Sequence, residues 1–228
     1  MVITGGSSGI GQALVQKFLK FDYRVTLTYN HNAPQIYHPQ VNAIKVDLKN
    51  VQELANLRAN LDRQNIDVLI NNAAFSKKTD FSKITENELR EVLEVNLVAA
   101  FRILQTTFDV MKKQKYGKII NLGSIGGQIG GRDQIHYAVS KGALETLIKS
   151  IALIGFDENI YAYNVSPGCV DTKMLRSLHD DYSKLKLKIP FGDIAKAQDL
   201  AELVFSICAP EWNYASGQTI NYNGGLLL

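Results

Sequence analysis

The sequence predicts an α/β fold, a single doubly wound parallel sheet with helices on both faces, and three observations predict it. Short apolar segments alternate with longer stretches whose apolar residues recur at helical spacing. The first apolar segment runs straight into a glycine-rich turn that opens a helix. No repeat, linker or low-complexity block breaks the alternation, and 228 residues suit one domain spanning 1–228.

Composition narrows the function classes. With 46% hydrophobic and 21% charged residues the chain has the balance of a globular protein rather than a disordered one. A formal net charge of +3, with no lysine/arginine run longer than a pair such as Lys112-Lys113, argues against a nucleic-acid partner. No apolar run approaches the ~18 residues of a membrane span, so no membrane partner is expected. Cys169 and Cys208 show neither disulfide nor metal spacing, and Met1 leads into a glycine loop rather than a charged leader. A reducing, cytoplasmic location and no metal are expected.

Met1 to Ile3 is a short strand. Thr4-Gly5-Gly6-Ser7-Ser8-Gly9-Ile10-Gly11 follows, then an amphipathic helix to about Lys20. Glycines here let the backbone turn tightly and approach a pyrophosphate, whose charge the helix N-terminal amides meet. Arg24 to Tyr29 reads as a second strand, followed by Asn30-His31-Asn32 with no carboxylate. An acid at that strand end grips the ribose 2′-hydroxyl of NAD; its absence leaves room for a 2′-phosphate, so NADP is favoured, with NAD the alternative. Asn30 and His31 supply donors there.

Val41 to Val46 is a third strand ending at Asp47, and Val51 to Leu61 a helix. Ile66 to Ile70 is a fourth strand ending in Asn71-Asn72-Ala73-Ala74, and Glu86 to about Lys113 a single long helix carrying Asn96 among apolar neighbours. Lys118 to Leu122 is a strand, and Ile160 to Val165 another, ending in Ser166-Pro167-Gly168. Charges and leucines then mix over about 173–190, the pattern of a substrate lid. Gln198 to Cys208 is a last helix and Gln218 to Tyr222 a closing strand. The tail Leu226-Leu227-Leu228 calls for cover by another subunit.

The chemistry is expected between Ser124 and Lys141. A helix from Tyr137 to Gly155 puts Tyr137 and Lys141 four apart on one face. A phenol with a pKa near ~10 needs its anion stabilised before it can exchange protons at neutral pH. An ammonium one turn away does that, and Ser124, on the loop from the preceding strand, can bond the same substrate oxygen.

On these residues the chain resembles the short-chain dehydrogenase/reductase family over essentially its whole length. Five separated motifs occur in the family's order: Thr4-Gly5 through Gly9-x-Gly11, Asp47, Asn71-Asn72-Ala73, Ser124 with Tyr137-x-x-x-Lys141, and Pro167-Gly168. The resemblance implies a Rossmann-like sheet and hydride transfer between nicotinamide and a carbonyl or alcohol. Tyr137 would be the general acid/base, Lys141 would lower its pKa and hold the nicotinamide ribose, and Ser124 would orient the carbonyl. Asn96 would anchor a water that links Lys141 to solvent. The cofactor would touch Thr4, Gly5, Ser7, Ser8, Gly9, Ile10 and Gly11 of the loop, with Asn30 beyond the second strand. Asp47 would bond the adenine amino group beside Leu48, and Asn72 and Ala73 would line the cofactor. Pro167, Gly168, Val170 and Thr172 would close over the nicotinamide amide.

Ile189-Pro190-Phe191-Gly192 and the run from Gly217-Gln218 to Gly224-Gly225 are similar to the 3-oxoacyl-[acyl-carrier-protein] reductase branch. This implies a small carbonyl or acyl-thioester substrate and a homo-oligomer, dimer or tetramer. An acidic carrier would need a basic surface, for which Lys112, Lys113, Lys115 and Lys118 are candidates, against their reading as a solvated helix end. A competing class, a dinucleotide-binding regulatory module without catalysis, predicts a degraded site. Nucleotide-sugar epimerisation calls for a longer chain.

Overall fold

A computed structural model describes residues 1–178 and 181–228. Seven strands form one sheet, all neighbours parallel: β1 (Val2–Ile3), β2 (Val25–Tyr29), β3 (Val41–Lys45), β4 (Val68–Asn71), β5 (Gly117–Leu122), β6 (Ile160–Pro167) and β7 (Thr219–Tyr222). Their order is β3-β2-β1-β4-β5-β6-β7. The chain winds outward from β1 in one direction and from β4 in the other. The crevice where an α/β sheet holds its ligand therefore opens above the carboxyl ends of β1 and β4.

Strand periodicity builds two apolar layers, because successive side chains point to opposite faces. Ile3, Ile70, Ile120 and Tyr163 pack under α1 (Gly9–Leu19). Their partners alternate: Val2, Leu69, Ile119 and Ala162 face the other layer, with α2 (Val51–Leu61) contributing Leu54, Leu57 and Leu61. Asn50 starts α2 by accepting hydrogen bonds from the Gln52 and Glu53 amides.

The helix expected from Glu86 to Lys113 is not continuous. It divides into α3 (Glu86–Leu93), a π turn over Glu94–Val98, and α4 (Ala99–Gln114). The wide turn carries Asn96 inward to full burial, where the Phe75 backbone takes up its amide. A short α5 (Gly126–Ile129) precedes α6 (Ile135–Gly155), which begins two residues earlier than periodicity predicts. Between β6 and α9 (Ala197–Ile207) stand two short helices, α7 (Lys173–Leu178) and α8 (Tyr182–Lys186), in the stretch expected to form a lid. Positions 179 and 180 of that stretch lie outside the described residues.

Of the basic surface suggested by Lys112, Lys113, Lys115 and Lys118, burial removes Lys118, and the other three stand on the surface paired with acids. Lys112 and Lys115 both pair with Glu158, at 3.1 and 2.6 Å, and Lys113 pairs with Asp62 at 3.1 Å. Lys118 has no exposed surface; its Nζ donates to the Ile207 and Ala209 carbonyls at 3.0 and 2.5 Å, placing a cation at the C-terminus of α9. These residues also stand at the amino end of β5, the edge of the sheet away from the crevice. At the chain end Leu226 and Leu227 are partly covered, and Leu228 is fully exposed. No helix among the described residues is long and apolar enough to cross a membrane.

Candidate active site

A groove of about 760 Å³ runs over the carboxyl ends of the strands. Its floor at β1 is the glycine loop, where Gly5, Ser7, Ser8, Gly9 and Ile10 line it. Gly5 takes φ +65°, and a Cβ there would lie 2.9 Å from the Ala73 Cα, so the loop and the end of β4 touch backbone to backbone. Ser8 precedes α1 in extended conformation without capping it through its side chain, which leaves the first amides of α1 facing the groove for an anion. Gly11 lies behind the loop: a Cβ would stand 2.1 Å from the Gly5 carbonyl oxygen, so its role is packing rather than contact.

Thr4, expected at the cofactor, is fully buried beneath it. Its hydroxyl accepts from the Asn72 and Ala73 amides, both at 2.9 Å, while Asn72 Nδ2 donates to the Thr4 and Gly5 carbonyls at 2.9 and 3.0 Å. Thr4 therefore sets the loop, and Asn72 and Ala73 present the wall. Beyond β2 the groove is lined by Asn30, His31 and Asn32, and beyond β3 by Asp47, Leu48 and Lys49. Pro167, Gly168, Val170 and Thr172 line the side below α7, with Thr172 3.3 Å from where a Cβ on Gly9 would be.

At the other end stand Ser124, Tyr137 and Lys141, all on the groove wall. Ser124 leaves β5 on the loop to α5, and its Oγ accepts from the Gly126 amide at 3.1 Å. Tyr137 and Lys141 come from the first two turns of α6. Burial pushes the Tyr137 phenol up to about 12, against the lowering effect of a hydrogen bond with Ser124. Burial pushes Lys141 down to about 8. Its Nζ donates to the Leu122 carbonyl at 2.6 Å and sits 5.7 Å from the Tyr137 ring centroid. At neutral pH most of Lys141 is an ammonium beside a protonated phenol.

Asn96, expected to anchor a relay water, is off the groove wall. Both its amide hydrogens are taken, by the Phe75 carbonyl at 2.9 Å and Ser140 Oγ at 3.0 Å, and its oxygen accepts from the Phe75 amide at 2.7 Å. Ser140 in turn donates to the Tyr137 carbonyl at 2.7 Å. The side chain acts as a brace between the loop after β4 and α6.

Sequence reasoning missed a row of buried amides. Asn71 donates to Asn121 at 2.8 Å, Asn121 to Asn164 at 2.7 Å, and Asn164 to Thr219 at 3.3 Å. The row crosses β4, β5, β6 and β7 one step below the groove, so polar side chains register the strand ends. Its signal is an asparagine near the end of three separate apolar segments. Phe75 and Gln134 were also missed, and with Met174, Leu175 and Leu178, from the stretch expected to form a lid, they line the groove and carry no formal charge.

A glycine loop that opens a helix at the start of a parallel sheet, with phenol, ammonium and hydroxyl at the far end of one groove, defines a dinucleotide-dependent oxidoreductase. The model of the family described as Enoyl-(Acyl carrier protein) reductase matches residues 5–227, and the chain belongs to the short-chain dehydrogenase/reductase family. Among its relatives, the 3-oxoacyl-[acyl-carrier-protein] reductase FabG of Salmonella typhimurium is 29% identical over 100% of this chain and 96% of its own. The acetoacetyl-CoA reductase of Shinella zoogloeoides is 29% identical over 98% and 96%. A solved 4-hydroxyisoleucine dehydrogenase complexed with NADH superposes with a TM-score of 0.92 at 25% identity, over 99% of this chain and 98% of its own.

Proposed function

We propose that this oxidoreductase reduces a 3-oxoacyl thioester, with NADP(H) as hydride carrier and NAD(H) as the weaker alternative. The observation that carries the reading is the convergence of Ser124, Tyr137 and Lys141 on one end of the groove that the glycine loop opens. A nicotinamide cofactor, when bound, supplies the hydride. Gly5, Ser7, Ser8, Gly9 and Ile10 would hold its pyrophosphate, Asp47 and Leu48 the adenine, and Pro167, Gly168, Val170 and Thr172 the nicotinamide side. Asn30, His31 and Asn32 offer donors and no carboxylate, which suits a 2′-phosphate.

The chain's own residues manage the proton. As negative charge gathers on the substrate oxygen, the Tyr137 hydroxyl gives up its proton to it. An alkoxide is far more basic than a phenolate even at a pKa of about 12, so the transfer is downhill. The Lys141 ammonium stabilises the phenolate left behind, and the Ser124 hydroxyl donates to the same substrate oxygen. The uncharged Phe75, Met174, Leu175 and Leu178 suit an acyl chain, and α7 and α8 form the lid of a single domain over 1–228. Relatives named for acyl-thioester reduction support the substrate class. A cytoplasmic homo-oligomer, dimer or tetramer, completes the reading.

Replacing Tyr137 by Phe tests it: acetoacetyl-CoA reduction with NADPH should fall at least 1,000-fold while NADPH affinity, read by fluorescence, stays within a few-fold. Undiminished turnover would sink the assignment. Titrating NADH and NADPH separately decides the cofactor preference.

A further inference from the structure

The residue before Tyr137 is a buried histidine that the chemistry above does not use. His136 is 1% exposed, and neither ring nitrogen has a hydrogen-bond partner among the described residues. Its Nε2 lies 3.4 Å from Oε1 of Glu88, a carboxylate that is itself only 9% exposed. A buried imidazole and a buried carboxylate each cost free energy to desolvate, and here the two stand side by side.

Glu88 has a second set of partners. Oε1 accepts from the Thr79 hydroxyl, and Oε2 pairs with Lys77 at 3.3 Å. The Thr79 hydroxyl, then Lys77 and His136, hold the carboxyl below its ordinary range. Thr85-x-x-Glu88 has the spacing of a capping box, in which the glutamate would return to the Thr85 amide. Here only half of that box forms: Thr85 accepts from the Glu88 amide at 3.2 Å, and the carboxylate turns instead to the loop after β4 and to α6.

The two segments it joins adjoin walls of the groove. Phe75 and Ser76 lead into Lys77-Lys78-Thr79 on one side, and Gln134 leads into His136-Tyr137 on the other. The Thr79 amide donates to the Asp133 carbonyl at 2.8 Å, and Lys78 faces Asp133 at 3.5 Å. The first turn of α6 needs such support, because Gln134 makes no side-chain cap to it. Asn96 braces Phe75 to the second turn of α6 through Ser140; Glu88 braces Thr79 to the first turn, which carries the phenol.

We propose that Glu88 is a positioning residue for Tyr137, acting through His136 and fixing at the same time the segment 77–79 that follows the groove wall at Phe75 and Ser76. The kinetic part rests on the carbonyl-reduction reading; the structural part does not. Losing the brace lets the first turn of α6 shift, and about 1 Å at the reacting atoms costs about 100-fold in rate.

The test uses Glu88→Gln and His136→Phe, with His136→Gln as the conservative variant, whose amide nitrogen can take the place of the histidine Nε2 and donate to Glu88. In Glu88→Gln and His136→Phe, hydrogen exchange at the amides of Thr79 and Ala138, which donate to the Asp133 and Gln134 carbonyls, should quicken at least tenfold. Their kcat for acetoacetyl-CoA should fall at least tenfold, with NADPH Kd within twofold and Tm within a few degrees. His136→Gln should recover kcat to within about threefold of the unaltered enzyme. Unchanged exchange at both segments overturns the proposal, as does a loss of kcat matched by equal loss of NADPH affinity and Tm. If the unaltered protein reduces no carbonyl, the function reading fails, and the exchange rates still decide the role of Glu88.

Discussion

Lys141 holds its charge in a place that penalises it, and removing it has a calculable effect on stability. The side chain is 3% exposed, and burial brings its pKa from 10.5 to about 8. That displacement is worth about 3 kcal/mol at neutral pH. Because the fold disfavours the ammonium, the unfolded chain holds the extra proton between about 8 and 10.5, and stability rises with pH through that window. From pH 7 to 9.5 the gain from this one site is about 2 kcal/mol. Lys141→Met removes it. The variant leaves the Leu122 carbonyl without its donor, a cost of about 1–3 kcal/mol, so at pH 7 it should be as stable as the unaltered protein or up to about 2 kcal/mol more stable. Urea unfolding of the cofactor-free protein, followed by the fluorescence of its single tryptophan, Trp212, at the two pH values, measures both. An equal change in both proteins between pH 7 and 9.5 would show that Lys141 is not held against its charge.

Other consequences are as direct. The reductase rate should decline as pH rises through about 8, where Lys141 loses its proton, while Tyr137 stays protonated to about 12; a kcat profile flat to pH 10 would remove Lys141 from the proton step. Lys118→Met deletes two hydrogen bonds from a charged donor to the end of α9 and regains the desolvation of the ammonium. A net loss of about 2 kcal/mol is expected in urea unfolding at pH 7, with activity per folded molecule unchanged. Gly11→Ala should abolish NADPH binding or folding, since its Cβ meets the Gly5 oxygen at 2.1 Å; normal binding by titration would contradict the packing of the loop on α1.

Much of this architecture is local, and local order is legible in a sequence. Short apolar runs placed most strands, and helical spacing placed α1, α2, α6 and α9 to within two residues or so, because each pattern reports how an element meets the core. The four-residue spacing of Tyr137 and Lys141 is likewise a property of one helix. So is the glycine loop, whose φ of +65° at Gly5 and +54° at Gly9 no other residue adopts as easily.

What the tertiary structure decided are pairings between segments that no local pattern connects. Lys118 reads as a surface lysine until α9, about ninety residues later, brings carbonyls to its ammonium. Asn96 lies in a π turn rather than a regular helix, where its amide meets the Phe75 backbone. Asn71, Asn121 and Asn164 become one row only when β4, β5 and β6 are adjacent. Glu88 is a capping residue by spacing and a cross-brace by contact. Periodicity says which way a side chain points; only the folded chain says what it finds there, and for a buried polar group that partner sets both its energy and its use.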